Sequence, residues 1–281
     1  GIPVLCEKPM TLTVEEAREL AKLVKIKNVP FVLAHTYTGH PMMMVAREMV
    51  KNGEIGEIRK VESWYIQGWL SNKIEDEGQK QAVWRVDPKR SGLSGCGGDI
   101  GTHAHMSARW VIGIEVIKVS ACLNTFVKGR QLDDDFNVIG EMENGGTAII
   151  TATQIALGYK NDNGFRIYGT KGSIEWHQER AECLTLKNGK VDVVYWLGMG
   201  DIPEAVKPYL RVPAGHMEDF FEALANLHQT MEWTIRKNNG EKNIPNPYPH
   251  PGVEDGLWGM AFVEASVKSS KSNGSWTEVK I

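Results

Sequence analysis

The feature that most restricts how this chain can fold stands at its start. Ile2-Pro3-Val4-Leu5-Cys6 is a short, nearly continuous apolar run, the pattern of a strand buried on both faces. Thr13-Val14-Glu15-Glu16 is a capping-box signature, in which the Thr hydroxyl accepts the N3 amide and Glu16 reaches back to the cap. Ala17, Leu20, Ala21 and Val24 follow at helical spacing, a stop is expected near Asn28, and Phe31-Val32-Leu33-Ala34 is a second apolar strand. Strand, helix and strand in this order favour a right-handed crossover into a parallel sheet. Such a sheet needs both faces covered and more than two strands. The expectation is therefore a fragment that begins near the end of a doubly wound domain, with the missing strands ahead of Gly1.

Beyond the second strand the chain has a different rhythm. Pro41 to Val50 has helical spacing, with Pro41 in its first turn and Gly53 just past its end. Ile58 to Ile66 alternates as a strand, Leu70 to Arg90 is polar and punctuated as a loop, and Thr102 to Ile112 is helical in period. Strand patterns then run through Val116–Phe126, Asn137–Met142, Thr147–Ala156, Phe165–Gly169, Ser173–Gln178, Leu184–Lys187 and Val191–Trp196. Asn144-Gly145, Thr170-Lys171-Gly172 and Asn188-Gly189 supply tight turns. Helices return over His216–Lys237 and Val253–Ser270, with a Pro-rich loop at Asn243–Pro251 between them. The expected class is α+β: an open, mostly antiparallel sheet with helices on one face, preceded by the β-α-β unit. Residues 1–36 would be the remnant of the first domain and residues 37–281 a second. Trp64, Trp69, Trp176 and Trp196 suggest a sheet face that buries area between subunits.

Charge and cysteine usage narrow the partners. The 32 basic and 35 acidic residues leave a net charge of −3, with no basic surplus for a nucleic-acid surface. Four cysteines, Cys6, Cys96, Cys122 and Cys183, stand far apart with no C-x-x-C pair, which suits free thiols in a reducing compartment. No apolar run is long enough to cross a bilayer and no signal-peptide pattern is present, so the expected location is cytoplasmic.

Three segments carry candidate chemistry. Glu7-Lys8-Pro9 ends the first parallel strand, where open α/β sheets bind ligands. Lys8 places a cation at the mouth of that crevice, and Pro9 can fix a turn, in cis or trans. A strand-end surface Lys with a turn Pro is the plain alternative. In Gly97-Gly98-Asp99-Ile100-Gly101-Thr102-His103-Ala104-His105, Asp99 and His103 stand four apart, which on a helix start puts them on one face. A carboxylate beside an imidazole orients it as a general base. The competing reading is a capping Asp99 and a core-edge His103. A metal on Asp99, His103 and Cys96 or His105 is discounted for want of ligand spacing. Trp84-Arg85-Val86-Asp87-Pro88 offers a ring to stack on a sugar and a guanidinium to anchor a hydroxyl or phosphate. A Trp plugging the loop and an Arg in a surface ion pair is the alternative there. His35 and Tyr37 follow the second strand and point at the same crevice. Gly158-Tyr159-Lys160-Asn161 is a strand-end loop or a simple turn, and His216 and Asp219 read as helix capping.

Together these pieces resemble the Gfo/Idh/MocA oxidoreductase family. The matching segments, in order, are Cys6-Glu7-Lys8-Pro9-Met10, Trp84 to Pro88, Gly97 to His103, Tyr168-Gly169-Thr170-Lys171-Gly172-Ser173 and Glu254-Asp255-Gly256. The resemblance implies a Rossmann domain followed by an α/β domain, and oxidation or reduction of sugars, inositols and related polyols with NAD or NADP. It maps Lys8 to the family's active-site lysine, and Asp99 and His103 to its acid/base pair. Glu7, Lys8, Pro9, Trp84 and Arg85 are then expected around the cofactor. Lys8, Tyr37, Arg85, Asp99, His103 and Asn161 are expected around a sugar or polyol, with no metal. Thr153-Gln154-Ile155-Ala156 to Glu175-Trp176 looks closest to dehydrogenases of glucosides and anhydro-sugars. The chain departs from the family pattern in two places: it lacks the glycine-rich phosphate-binding turn, and His35-Thr36-Tyr37-Thr38 lacks the usual Asn/Arg-rich character. The expected oligomer is a homodimer or homotetramer through the open sheet, and the fragment alone is expected to be inactive. Two other functions fit less of the pattern: a non-catalytic oligomerisation or sugar-binding module, and an NAD-assisted glycosidase.

Overall fold

The computed structural model describes all 281 residues. It opens with β1 (Val4–Glu7), α1 (Val14–Lys27) and β2 (Phe31–Ala34), and β1 and β2 pair in parallel. The α1 capping box forms as expected, with Thr13 Oγ1 accepting the Glu16 amide and Asn28 closing the helix in the left-handed region. A 3₁₀ turn over Thr36–Gly39 leads into α2 (Pro41–Lys51), and β3 (Ile58–Ile66) enters the large sheet.

The stretch expected as loop, Leu70 to Arg90, instead carries a 3₁₀ turn (Ile74–Glu77), α3 (Lys80–Arg85) and α4 (Pro88–Ser91). Local caps hold these short helices: Gln79 accepts the Ala82 amide, and Asp87 accepts that of Lys89 with Pro88 in the first turn. So few residues show no apolar periodicity. A wide π-type turn, Gly97–Gly101, then runs into α5 (Thr102–Ile112).

Seven strands come next: β4 (Val116–Asn124), β5 (Asp135–Met142), β6 (Thr147–Thr153), β7 (Asp162–Gly169), β8 (Ser173–His177), β9 (Cys183–Lys187) and β10 (Asp192–Trp196). The chain closes with α6 (Phe220–Asn238), α7 (Val253–Lys271) and β11 (Thr277–Glu278). Helix α6 starts at Phe220 rather than His216, because Asp219 and Glu222 form its capping box; His216 lies outside it on the Pro213 carbonyl. The nine-stranded sheet runs β10-β9-β8-β7-β3-β6-β5-β4-β11. Only the β3–β6 pair is parallel.

Alternation decides which face is covered. Val61 and Tyr65 of β3, Phe136 and Val138 of β5, Ile150 of β6, Phe165 of β7 and Trp176 of β8 are buried beneath α2, α5 and α7. The opposite face is open: Ile139 is 50% exposed there. The four tryptophans therefore do not form one face. Trp176 lies in the core, whereas Trp64 is on the outer side against Arg166 and His177. Helix α7 joins the two sheets, packing on β4 and on α1, while the Pro251 carbonyl beside it accepts the Leu33 amide at 2.8 Å. No helix is long and apolar enough to cross a membrane.

Candidate active site

The C-terminal ends of β1 and β2 face the entry of α5 across a cleft of about 570 Å³. This is the position where ligands bind in open parallel sheets. Lys8, at the end of β1 and joined to Pro9 by a cis peptide, reaches into the cleft. Its Nζ donates to Asp99 Oδ1 at 3.0 Å and to the Asp99 carbonyl at 2.7 Å.

Asp99 sits in the π-type turn, whose entry is tied down from below. The half-buried Asp133 carboxylate accepts the Ser94 hydroxyl (3.0 Å) and the amides of Gly95 and Gly97 (2.9 Å each). A Cβ on Gly97 would lie 2.4 Å from the Phe136 ring, so only glycine passes between that ring and Ser94. The second Asp99 oxygen accepts Arg85 Nε at 2.9 Å and Gln154 Nε2 at 2.9 Å. Burial alone would raise the Asp99 carboxyl; Lys8 and Arg85 outweigh it and hold the group below its usual range.

The expected contact between Asp99 and His103 is not made. Four-residue spacing brings side chains together at 3.6 residues per turn, and the wider π turn breaks that relation. Asp99 is taken instead by two cations and an amide. The neighbour of His103 is His35, at the end of β2, with the two Nδ1 atoms 3.3 Å apart. Burial, with Lys8 and Arg109 close by, pushes His35 down to about 3. Burial, with Lys8 and His35, takes His103 well below the usual histidine range. Both rings are therefore neutral at ordinary pH.

Tyrosines and amides line the cleft's far side. The Tyr37 and Tyr65 hydroxyls are 2.5 Å apart; Tyr65 donates to Asn161 Oδ1 at 3.1 Å, and Gln67 donates to the same oxygen at 2.6 Å. Trp69, Phe220 and Leu224 add apolar wall, and Gln79, Gln81 and Lys160 complete the rim. Arg85 stacks over Trp84 at 4.2 Å. Burial carries the Tyr37 phenol up to about 12 and raises Tyr65 as well.

The residues picked from sequence thus fall in two neighbouring spaces. Glu7, Lys8, Tyr37, Arg85, Asp99, His103 and Asn161 line the main cleft. Pro9 and Trp84 line an adjoining cavity of about 380 Å³, which Lys8, Arg85 and Asp99 also border. Sequence reasoning missed Tyr65, Gln67, Gln154, Phe220 and Leu224. Inward alternation of Val61, Ser63 and Tyr65 along β3 is a signal for Tyr65; nothing local marks the others. No group of three His, Cys, Asp or Glu side chains is arranged to hold a metal.

Comparison with known proteins adds to this geometry. Residues 43–175 match the model of the GFO/IDH/MocA C-terminal domain, and residues 1–35 match that of the oxidoreductase family's NAD-binding Rossmann fold. The oxidoreductase YfiI of Bacillus subtilis is 30% identical over all of this chain and 72% of its own length. The levoglucosan dehydrogenase of Pseudarthrobacter phenanthrenivorans is 26% identical over 99% of this chain and 74% of its own. The crystal structure of an inositol dehydrogenase homolog complexed with NAD+ from Azotobacter vinelandii superposes with a TM-score of 0.89, at 30% identity, over 98% of this chain and 72% of that one.

Proposed function

The chain belongs to the Gfo/Idh/MocA oxidoreductase family, and on that premise we propose that it serves NAD-dependent oxidation or reduction at a hydroxyl-bearing carbon of a neutral sugar or polyol. The observation that carries the proposal is the convergence of Lys8, Asp99 and His103 on one cleft at the ends of parallel strands.

The donor set suits the nicotinamide end of the cofactor. Small Ala34 and Thr36 leave the wall clear where β2 ends, and Glu7, Lys8 and Arg85 supply polar atoms for a carboxamide and a ribose. Pro9 and Trp84 extend the same border. When bound, NAD supplies the hydride acceptor or donor. The protein's own residues handle the proton and the charge. His103, neutral and open to the cleft, takes the proton of the substrate hydroxyl. Lys8 donates a hydrogen bond to that oxygen as negative charge develops on it. Asp99 holds the Lys8 ammonium and the Arg85 guanidinium in place. Tyr37, Arg85 and Asn161 orient the remaining hydroxyls, with Trp69 offering a flat apolar face to a ring. The relatives suggest substrates of the levoglucosan and inositol type.

On the same reading the chain is organised in two units with a boundary near residue 36. Assembly through the open sheet face, as dimer or tetramer, belongs to the reading too, and light scattering reports it.

The direct test is His103→Gln and Lys8→Met in the longest reading frame that contains these residues, assayed for NADH formation with a panel of sugars and inositols. Loss of about 10²–10⁴ in kcat is expected for each. Near-normal turnover in either variant rejects the assignment. Release of free sugar without NADH would favour glycoside cleavage instead.

A further inference from the structure

The two buried imidazoles form a pair whose protons must be arranged. His35 ends β2 and His103 lies in the first turn of α5. Their Nδ1 atoms are 3.3 Å apart, with the rings edge to face at 89°. At that distance two N–H groups would collide and two lone pairs would repel. One ring therefore carries its proton on Nδ1 and the other does not.

The surroundings decide which. Other elements pack Lys8, Tyr37 and Tyr65 about His103. The tyrosine hydroxyls bond each other rather than either imidazole nitrogen, and Asp99, one turn earlier, is bound to Lys8, Arg85 and Gln154. His35 is thus the one hydrogen-bond partner of His103 Nδ1. The remaining nitrogen, Nε2, has no protein partner and belongs to a ring that lines the cleft holding the Lys8 ammonium. A lone pair faces a cation more favourably than an N–H dipole does.

We infer that His35 is a positioning residue: its Nδ1 lone pair accepts the His103 Nδ1–H and fixes His103 in the tautomer whose Nε2 lone pair opens to the cleft. The inference rests on the proposed role of His103 as the base. In it, His35 carries its own proton on Nε2. As His103 takes the substrate proton on Nε2, no proton leaves Nδ1, and the same hydrogen bond becomes charge-assisted. The opposite arrangement would put a proton on His103 Nε2 before the substrate arrives, so that nitrogen could not take one. His35 here does the orienting that a carboxylate does for the histidine of a hydrolase triad, with a neutral partner in place of an anion.

Nitrogen-15 NMR of histidine-labelled protein tests this at neutral pH, with His103→Gln used to assign the His103 signals. The expected two-bond pattern is Nδ1–H for His103 and Nε2–H for His35. Nε2–H at His103 in the unmutated protein overturns the inference, whatever any variant does. In His35→Phe, His103 is expected to move to Nε2–H or a mixture. The kcat should fall about 10²-fold or more, with KM within about twofold, as when a base is held in the wrong tautomer. His35→Asn, whose carbonyl can accept the same N–H, should recover most of the loss. Unchanged kcat in His35→Phe also overturns the inference. Full activity in His103→Gln would instead remove the base role, while the NMR pattern still reports the tautomer independently.

Discussion

Lys8 Nζ stands 3.0 Å from Asp99 Oδ1, so the cation that ends the first strand is clamped to a glycine-rich turn 91 residues away in sequence. Arg85 holds the other oxygen of the same carboxylate at 2.9 Å. The side chains of Lys8, Arg85 and Asp99 are only 14%, 22% and 12% exposed, so the carboxylate compensates two largely buried cations.

Neutralising Asp99 should therefore weaken the fold as well as the site. Asp99→Asn leaves Lys8 and Arg85 without their anion, and removing one partner of a buried ion cluster costs about 3 kcal/mol. Urea unfolding measures this. An unchanged midpoint would mean that solvent, not Asp99, balances the two cations.

The wall made by α6 depends on one close approach. A Cβ on Gly39 would lie 2.0 Å from the Ala223 carbonyl oxygen in α6. Gly39→Ala must push the helix outward, at about 1–3 kcal/mol. Phe220 and Leu224, which line the cleft, move with it, so KM should rise more than kcat falls. Thermal melts together with steady-state kinetics check both parts; an unshifted melting temperature contradicts the packing.

Acid should destabilise the protein well before its carboxylates titrate. Burial, together with nearby cationic and histidine groups, lowers His35 to about 3 and His103 and His105 well below 6.5. Burial lowers His40 to about 4, against the opposing pull of Glu222. Above about pH 6.5 both folded and unfolded chains hold these rings neutral, and they impose no penalty. Below it the unfolded chain binds protons that the folded chain refuses. Stability then falls toward pH 4 by up to about 1.4 kcal/mol per pH unit for each ring. Denaturant midpoints stepped from pH 7 to 5 should show the slope, and His40→Phe should reduce it. A flat profile over that interval would show that the rings protonate in place.

Asn161 separates binding from chemistry. Its Oδ1 is held by Tyr65 and Gln67, which leaves Nδ2 to donate into the cleft. Asn161→Ala should raise KM about tenfold, the worth of one or two hydrogen bonds, with kcat within about twofold. A fall in kcat at constant KM would place Asn161 with the proton-handling groups instead.

The sequence alone determined what neighbours along the chain decide. The Thr13 capping box, the Asn28 stop, the bounds of Ile58–Ile66 and Thr102–Ile112, and the strand ladder after Val116 all rest on caps, periodicity and turn residues acting over a few positions. The motif residues at the ends of those elements, Lys8, Asp99 and His103, were legible for the same reason. Who touches whom was not. Asp99 meets Lys8, Arg85 and Gln154 rather than His103, because a π-type turn anchored by Asp133 rotates it away. His35 meets His103 across 68 residues, and Phe220 reaches the cleft only because Gly39 lets α6 come close. Such contacts depend on how sheets and helices stack, and stacking is fixed by the summed burial of a core drawn from the whole chain, which no local pattern encodes.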